Sequence, residues 1–279
     1  MEINFGGIVP LSTLDWTGIS AAVIFMRGCP LRCPHCQNAH LQSGETREDI
    51  EKIKKKIDEA EPFISGVILS GGEPLVQLAP SRAMARHAKV LGLLVGVETC
   101  GYYPNRLAEL IEEGLVDMVF LDVKEALKDP EYFRATGRKE VALRVRESLE
   151  VCMGAKVPLE VRTTVFPNMP SLGGLLEIAE QLRELGIGSI TLQQGRASGR
   201  EKPFDPVPIK LLTIAAQTMK ERRGIDATVK KGPLPSRSRP YQTELFQICQ
   251  LRKPHPVMRK DPLREDQDHK TDHKTGDMS

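Results

Sequence analysis

Apolar, strand-like runs alternate with amphipathic, helix-like runs through residues 19–219. Runs such as ISAAVIFM (19–26) are apolar nearly throughout, which is typical of strands buried on both faces of a parallel sheet. The intervening stretches, for example TREDIEKIKKKIDEA (46–60), place their isoleucines at helical spacing and their charges on the opposite face. This alternation predicts a parallel sheet covered by helices. With about six repeats, we expect an α/β fold of the partial (β/α)6 barrel type, a variant of the TIM barrel, rather than a closed eightfold barrel.

The predicted strands lie at 19–26, 66–70, 93–98, 117–123, 158–165 and 189–194. The predicted helices lie at 46–60, 80–91, 105–113, 141–153, 172–185 and 208–220. The carboxyl ends of these strands should meet at one edge of the sheet, which is where parallel α/β folds place their sites.

Three of the chain's six cysteines lie in one short segment, RGCPLRCPHCQN (27–38). Cys29, Cys33 and Cys36 follow the first predicted strand with C-x3-C-x2-C spacing, whereas the other cysteines are isolated in the sequence. A structural zinc site usually has four ligands arranged as two pairs. A cubane iron–sulfur cluster normally takes four cysteines, so three would leave one iron open to a substrate or cosubstrate.

Two interpretations remain open on the cysteines alone. One is an iron–sulfur cluster with an open iron. The other is a zinc site in which His35, His40 or Cys100 is the fourth ligand. We expect the cysteines to be reduced, as in a cytoplasmic protein, so that a cluster of them indicates a metal or catalysis rather than disulfides.

The segment LSGGEPL (69–75) bears on this choice. Gly71 and Gly72 come at the end of a predicted strand, where glycines let backbone groups approach a ligand closely, and the carboxylate of Glu73 follows. The cysteine loop and this segment should emerge at the same edge of the sheet. With both motifs on a repeating β/α chain, residues 19–219 resemble the radical S-adenosylmethionine (SAM) superfamily.

This resemblance implies that Cys29, Cys33 and Cys36 hold a [4Fe–4S] cluster whose fourth iron binds the amino and carboxylate groups of S-adenosyl-L-methionine. Electron transfer into the sulfonium would break the C5′–S bond and give methionine and a 5′-deoxyadenosyl radical, which abstracts hydrogen. The three cysteines are therefore the predicted catalytic and metal-binding residues, and the chain would be a radical SAM oxidoreductase.

A narrower resemblance is to the activating enzymes of anaerobic ribonucleoside-triphosphate reductases, and to glycyl-radical enzyme activases generally. The similar segments are FGGIVPLSTLDWTGISAAVIFMRGCPLRCPHCQN (5–38), VETCG (97–101), FLDVK (120–124) and LEVRTTV (159–165). The resemblance implies these contacts to SAM: Gly71, Gly72 and Glu73 at its amino group, Glu98, Asp122 and Lys124 around its polar end, and Arg162 at its ribose or carboxylate. It also implies that Glu98, Thr99 and Asp122 are candidates to frame a monovalent cation.

The charges of these side chains fit SAM without reference to any family. SAM brings a sulfonium, an ammonium and a carboxylate into one pocket. Acidic side chains can pair with the sulfonium and the ammonium, and Lys or Arg can pair with the carboxylate. Arg162 lies in an otherwise apolar strand, where an unpaired charge is unfavourable, so we expect it to have partners. Gln193 and Gln194 end the sixth predicted strand, and we include Gln194 among the candidate cofactor-binding residues.

The sequence departs from the activase pattern in several places near the expected mouth of the barrel. His35 stands where activases often have an aromatic residue, and Cys100 stands where they have a strand-end asparagine. Activases also have His-Asn-Pro after the third cysteine and Asp-x-Pro-Gly before the first strand, where this chain has QNA (37–39) and DWTG (15–18). These differences concern the substrate or partner rather than the cluster.

Composition limits the functional classes. The chain has 39 Lys and Arg against 37 Asp and Glu, and this balance argues against a nucleic-acid or anionic-membrane partner. Its apolar runs are far shorter than the ~20 residues of a membrane span. We therefore expect a cytoplasmic protein.

The predicted domain organisation has three parts. A radical SAM core occupies 1–224, a C-terminal extension 225–250, and a polar tail 251–279. We expect the tail to be disordered because it has too little apolar surface to bury. His269 and His273 lie in this tail at metal-compatible spacing, and we interpret them as solvated residues. No role follows from the sequence for Cys100, Cys152 or Cys249.

Three hypotheses follow. In the first, the chain takes one electron from a reduced flavodoxin or ferredoxin, cleaves SAM, and generates a glycyl radical on a partner, namely an anaerobic ribonucleotide reductase. In the second, the same chemistry acts on a small molecule, as in the enzyme that builds the 7-deazaguanine ring. In the third, the chain is a non-catalytic zinc-binding module, which would be colourless, whereas a cubane cluster is brown.

Overall fold

The computed structural model describes residues 1–196 and 204–232. The strands within these residues are β1 (Glu2–Ser12), β2 (Ala21–Met26), β3 (Arg47–Asp49), β4 (Gly66–Gly71), β5 (Leu94–Thr99), β6 (Met118–Asp122), β7 (Leu159–Val165), β8 (Ser189–Gln194) and β9 (Asp226–Lys230). The α-helices are α1 (Ile50–Ala60), α2 (Leu78–Val90), α3 (Pro104–Glu112), α4 (Glu131–Thr136), α5 (Val141–Ala155), α6 (Leu172–Glu184) and α7 (Ile209–Arg223). None of these helices is long and apolar enough to cross a membrane.

The described strands form one sheet in the order β3-β1-β2-β4-β5-β6-β7-β8-β9. From β2 to β9 every neighbouring pair is parallel, and helices connect successive strands. At the other end, β1 is antiparallel to both β2 and β3. Because β3 and β9 are the two edges, the sheet is not closed. The predicted α/β partial barrel is confirmed.

Each predicted strand corresponds to one of β2 and β4–β8, with ends that differ by a few residues. The helix predicted to begin at residue 46 begins instead at Ile50, because residues 47–49 pair with β1 as β3. Asp49 then caps α1 by accepting a hydrogen bond from the Glu51 N–H at 3.2 Å. The sequence did not predict β1, β3, β9 or α4.

The C-terminal extension begins as part of the sheet. Residues 226–230 form β9, which pairs in parallel with β8 through residues 189–193. The predictions for residues 233–279, including Cys249, His269, His273 and the disordered tail, lie outside the described residues.

The two faces of the sheet have different packing. On the face covered by helices, side chains such as Val67, Leu69, Val95 and Val97 are fully buried and belong to one large apolar core. The opposite, interior face has a smaller apolar cluster that includes Phe120. Residues alternate between the two faces along each strand, as the pleat requires.

Trp16 forms the centre of the interior apolar cluster. It lies in the connection between β1 and β2, and its ring contacts that of Phe120 edge-on, with centroids 5.5 Å apart. Gly66 and Gly96 make room for the indole, since a Cβ on Gly96 would lie 3.1 Å from Trp16 and 2.9 Å from Phe120. The interior face is therefore apolar around Trp16, and its polar residues lie nearer the carboxyl ends of the strands.

Replacing Gly96 with alanine tests the packing of Trp16 against Phe120. We expect Gly96→Ala to lower the free energy of unfolding by about 1–3 kcal/mol, because the added methyl group overpacks the Trp16–Phe120 contact. Gly154→Ala is the matched control: its Cβ meets nothing within 4 Å on helix α5, so it should stabilise the protein by up to about 1 kcal/mol. Urea unfolding of both variants measures the difference, and equal stabilities would contradict this packing.

Candidate active site

The carboxyl ends of four neighbouring strands bring most of the predicted site residues to one edge of the sheet. The cysteine loop begins directly after β2, Gly71 is the last residue of β4, Thr99 ends β5 and Asp122 ends β6. Strands β2, β4, β5 and β6 are consecutive in the sheet. The two motifs recognised in the sequence therefore lie side by side.

Backbone hydrogen bonds join the glycine segment to the start of the cysteine loop. The Gly72 N–H donates to the Met26 carbonyl at 2.8 Å, and the Glu73 N–H donates to the Gly28 carbonyl at 2.9 Å. Gly71 has φ +123°, and a Cβ there would collide with the Met26 backbone; a Cβ on Gly72 would collide with the Gly28 carbonyl. The two glycines are thus required for the close approach of these segments.

The cysteine loop is held at several other points. The Cys29 N–H donates to the Gln42 carbonyl at 3.2 Å, and the Arg32 N–H donates to the Thr136 carbonyl at 2.7 Å. The Arg32 guanidinium also donates to the Cys29 carbonyl at 2.7 Å. The loop is therefore fixed by backbone contacts on both sides.

The three loop cysteines are partly buried, and the ammonium of Lys124 lies near them. Burial raises the pKa of Cys33 to about 11 and also raises the pKa of Cys36. The ammonium of Lys124 acts on both pKa values in the opposite direction. Lys124 therefore offsets part of the negative charge that a thiolate-bound centre would carry.

The carboxylate of Glu73 is turned into the protein and is fully buried. It accepts hydrogen bonds from the Thr99 hydroxyl at 3.0 Å, the Cys100 N–H at 2.8 Å and the Leu75 N–H at 3.1 Å. Burial raises the pKa of Glu73, while these hydrogen bonds act in the opposite direction. The expectation that Glu73 faces the SAM amino group is therefore not met by its side chain, which instead holds the end of β5.

The side chains of Thr99 and Glu98 point to opposite faces of the sheet. Its hydroxyl donates to Glu73 and accepts from the Gly101 N–H at 3.0 Å. Glu98 precedes it on the strand and points to the opposite face. The hydroxyl is thus directed away from the place where Glu98 and Asp122 were expected to frame a cation with it.

Arg162 and Glu98 form an ion pair inside the sheet. The guanidinium donates to Glu98 at 2.7 Å, to Glu160 at 3.0 Å and to the Asp15 carbonyl at 2.7 Å. It also stacks over the ring of Phe120, 4.0 Å from the centroid. Burial acts to lower the pKa of Arg162, but the two glutamates raise it overall. Arg162 has the partners that its apolar strand required, and its donors are committed to the protein.

Asp122 and Lys124 are more exposed to solvent than the predicted site residues Glu73 and Arg162. Their side chains are 42% and 26% exposed and form an ion pair of 3.1 Å. Burial would lower the pKa of Lys124, but Asp122 and the nearby Cys33 raise it well above its usual value. This pair can present both a negative and a positive group to a ligand.

Gln194 lies on the helix side of β8 and is buried. Its amide donates to the Val207 carbonyl at 2.8 Å and accepts from Arg196 at 3.2 Å. Gln193, the preceding residue, instead accepts a hydrogen bond from the Thr164 hydroxyl at 3.3 Å on the interior side. The structure therefore gives Gln194 a role in fixing the loop before α7 rather than a position facing the interior.

Sequence reasoning missed an aromatic group beside the cysteine loop. His35 stacks on Phe166 with centroids 4.5 Å apart, and Phe204 meets both rings edge-on. A Cβ on Gly195 would collide with the Phe166 ring, so this glycine makes room for it. These residues come from three separate segments, and no local pattern links them.

Residues 23–171, slightly more than half of the chain, match the Radical SAM superfamily. The matched span contains the cysteine loop, the glycine segment and Arg162. The chain belongs to the radical SAM superfamily. It is therefore an enzyme of the type that uses a [4Fe–4S] cluster and SAM.

The chain is similar in sequence to two named proteins. The chain is 32% identical over 194 residues to the "Putative glycyl-radical enzyme activating enzyme MJ1227" of Methanocaldococcus jannaschii, covering 68% of this chain and 80% of the relative. It is 27% identical over 191 residues to the 7-carboxy-7-deazaguanine synthase of Hyperthermus butylicus, covering 62% of this chain and 80% of that protein.

Solved structures share the fold. A radical SAM methyltransferase from Sphaerobacter thermophilus has a TM-score of 0.66 at 15% identity, covering 79% of this chain and 68% of that one. Streptococcus suis SuiB bound to its precursor peptide SuiA has a TM-score of 0.62 at 13% identity, covering 75% of this chain. This chain spans about half the length of SuiB (48%). At such identities the likeness concerns the fold alone.

The residues around the cysteine loop fit an iron–sulfur cluster. Three thiols on one loop would supply three ligands, and the ammonium of Lys124 would offset part of their negative charge. The side chain of Gln42 makes a hydrogen bond to Cys36 that acts to lower the pKa of that thiol. Hydrogen bonds to the ligand sulfurs are a common feature of iron–sulfur sites. Within residues 1–196 and 204–232, no group of three or more His, Cys, Asp or Glu side chains is already arranged to hold a metal ion.

A methyl group on Gly72 should weaken cluster binding. Gly72→Ala forces the glycine segment away from the cysteine loop, and loss of supporting contacts around metal ligands typically weakens affinity about 10–100-fold. Gly173→Ala is the control, because the Cβ there meets only the Ser171 hydroxyl, at 3.7 Å. Iron and sulfide per chain after anaerobic reconstitution, with dilution into chelator, measure the effect. Equal retention of iron in both variants would refute the role given to Gly72.

Removing the Arg162 guanidinium should destabilise the fold. Arg162→Met leaves the carboxylate of Glu98 without its cationic partner and takes one of two cationic partners from Glu160, which keeps Lys230. Breaking a buried pair lowers stability by about 3–5 kcal/mol. Arg183→Met, which breaks an exposed pair with Glu180, should change stability by less than about 1 kcal/mol. Urea unfolding under anaerobic conditions compares them. If Arg162→Met unfolds like the control, the interior network is not a stabilising one.

Proposed function

We propose that this enzyme cleaves SAM reductively and generates a glycyl radical on a partner enzyme. The observation that supports the site is the backbone pairing of the cysteine loop with Gly72 and Glu73 at the carboxyl edge of the sheet. The similarity to an archaeal protein named for glycyl-radical enzyme activation supports the reaction.

Cys29, Cys33 and Cys36 would hold the [4Fe–4S] cluster. When bound, the cluster supplies one electron to the sulfonium of SAM, which then yields the radical that abstracts hydrogen. The chain itself would position the reactants, because the cysteine loop is fixed by its backbone contacts and the glycine segment is held beside it by the hydrogen bonds of Gly72 and Glu73. Orientation of this kind supplies much of the rate enhancement when no acid or base is needed.

Asp122 and Lys124 are suited to the charged end of SAM. Their ion pair lies at the carboxyl end of β6 and keeps partial solvent access. The carboxylate of Asp122 can accept from an ammonium, and the ammonium of Lys124 can donate to a carboxylate. Glu98 and Arg162 are already paired with each other, so we assign them to holding the interior in shape. The apolar cluster around Trp16 and Phe120 would exclude water from the interior face of the sheet.

The partner that we propose is an anaerobic ribonucleoside-triphosphate reductase, and the electron donor a reduced flavodoxin or ferredoxin. The partner rests on the resemblance of residues 5–38 to the activases of those reductases. We also propose a cytoplasmic location, since thiolate ligands require a reducing compartment.

We propose further that Glu98 and Asp122 bind a monovalent cation. Thr99 is not included, because its hydroxyl donates to Glu73.

A small-molecule substrate is the second candidate. It is supported by the similarity to a 7-carboxy-7-deazaguanine synthase, of which the chain covers 80%. In that case turnover would need a metabolite and no protein partner. Membership in the superfamily favours either of these functions over a non-catalytic zinc-binding module.

The two functions are separated by one anaerobic experiment. The reconstituted enzyme is given dithionite and SAM, with or without the anaerobic ribonucleotide reductase of the same organism, and 5′-deoxyadenosine is measured by chromatography. We expect deoxyadenosine and a glycyl-radical signal in electron paramagnetic resonance when the partner is present. A partner variant with alanine at its radical glycine should give no such signal.

Two enzyme variants serve as controls. Cys33→Ser should abolish both deoxyadenosine and the radical signal, whereas Cys152→Ser, buried within α5, should keep both. Deoxyadenosine without a radical on the partner would reject the activase and favour a small-molecule substrate. A colourless protein that contains zinc would reject both.

A further inference from the structure

Two arginines stack on one tyrosine on the helix-covered side of the site. The guanidinium of Arg138 lies 4.5 Å from the ring centroid of Tyr102, and that of Arg144 lies 5.1 Å from the same centroid. Tyr102 is buried in the large apolar core of this side, whereas both arginines are exposed. Cation–π contacts therefore hold two positive charges close together at the surface.

Two further arginines extend this group. Arg106 stacks over Tyr103, 4.5 Å from its centroid, and that ring meets Tyr102 edge-on with centroids 5.0 Å apart. Arg32 lies in the cysteine loop, and its N–H donates to the carbonyl of Thr136, the last residue of α4, at 2.7 Å. We define the arginine patch as Arg32, Arg106, Arg138 and Arg144.

The arginine patch has positive charge that carboxylates do not balance. Among residues 1–196 and 204–232, none of its four members forms an ion pair with Asp or Glu, whereas Arg86 and Arg146 each pair with a glutamate. Glu147 lines the same surface depression as Arg144 and supplies one opposing charge. The patch as a whole therefore stays positive.

The arginine patch is bonded to the backbone of the cysteine loop. Arg32 donates to the Cys29 carbonyl at 2.7 Å and to the Leu31 carbonyl at 2.8 Å, and Arg138 donates to the Pro30 carbonyl at 3.2 Å. A protein bound to these guanidiniums would lie against the segment that carries Cys29. Because electron transfer slows steeply with distance, an electron donor placed there would be well positioned to reduce a cluster held by the loop.

The arginine patch and the charged pair assigned to SAM belong to different sides of the sheet. Tyr102 packs in the core on the helix-covered side. Along β6, Leu121 faces that core and Phe120 faces the interior, so the alternation of the strand directs Asp122 to the interior as well. A partner that gives up hydrogen to the radical must reach the interior, which leaves the arginine patch to a different protein.

We propose that the arginine patch is the docking surface for an acidic electron-donor protein, which passes one electron to the cluster beside Cys29. This inference rests on the proposed assignment of Cys29 as a cluster ligand. The donor loses one electron and the oxidised cluster gains it, and no bond is made or broken. Arginine suits such a surface because its planar guanidinium binds carboxylates through two hydrogen bonds. Complementary charge mainly raises the rate of association and makes it depend on salt.

Charge reversal at Tyr102 tests the proposal in the full-length chain. Arg138→Glu/Arg144→Glu reverses two charges of the patch, and Arg138→Lys/Arg144→Lys keeps them. Lys55→Glu/Arg222→Glu is the matched control, since it changes the net charge equally at exposed positions of α1 and α7. Each protein is reconstituted anaerobically, and its iron, sulfide and thermal unfolding are compared with those of the wild type.

The probe is a purified flavodoxin of negative net charge. Calorimetry measures the affinity of its oxidised form for each variant, and stopped-flow absorbance follows reduction of the cluster by its reduced form. Photoreduced deazaflavin, a small donor that needs no protein docking, serves as the second reductant.

At low ionic strength, we expect Arg138→Glu/Arg144→Glu to weaken flavodoxin binding and to slow cluster reduction by flavodoxin at least about tenfold. The lysine variant and the control should stay near the wild type. The difference should shrink in about 1 M salt, where the Debye length is about 3 Å. Reduction by deazaflavin should be the same in every variant.

Four results would overturn the proposal. They are equal flavodoxin binding and reduction in the wild type and the charge-reversal variant, an equal loss in the control, wild-type binding that does not weaken with salt, and charge reversal that impairs binding of the reductase partner but not of flavodoxin. The last result would assign the patch to the substrate protein. The flavodoxin measurements use neither SAM nor a glycyl radical, so failure of the proposed function is seen separately, in enzyme that accepts the electron but forms no radical on the partner.

Discussion

Two backbone hydrogen bonds, from Gly72 to Met26 and from Glu73 to Gly28, hold the site together. They bring the segment after β4 against the start of the cysteine loop so closely that neither Gly71 nor Gly72 can carry a side chain. Everything else at the edge follows from this contact. The thiols of the loop lie beside the half-buried Gly71–Gly72 backbone, and the inward carboxylate of Glu73 connects the same contact to the end of β5.

The interior of the sheet shows how the fold tolerates buried charge. Arg162 is paired with Glu98 and Glu160, and Lys230 of β9 also donates to Glu160 at 3.0 Å. The charges of these four residues cancel, so the interior presents no uncompensated charge below the cluster site. Such networks add little net stability compared with apolar packing, but removing one member is costly. Asp122 and Lys124, nearer the edge, are left to interact with a ligand.

The fold class and the shared edge could be predicted from the sequence, because hydrophobic periodicity and parallel topology decide them. The directions of the side chains could not be predicted in this way. The sequence places a carboxylate after two glycines, but it does not show that the hydroxyl of Thr99 and the N–H of Cys100 converge on Glu73. Period-2 alternation puts Gln193 and Gln194 on opposite faces, yet it does not tell which one faces the interior. Strand β9 is short and partly polar, so its place in the sheet depends on tertiary pairing.

The central claim is that three cysteines hold a cluster and leave one iron for SAM. Electron–nuclear double resonance of the reduced cluster, with SAM labelled by ¹⁵N in the amino group or ¹⁷O in the carboxylate, tests it directly. The account predicts hyperfine coupling from both labels, because both groups bind the iron that has no protein ligand. An intact cluster that shows no coupling from either label, with SAM bound, would contradict it.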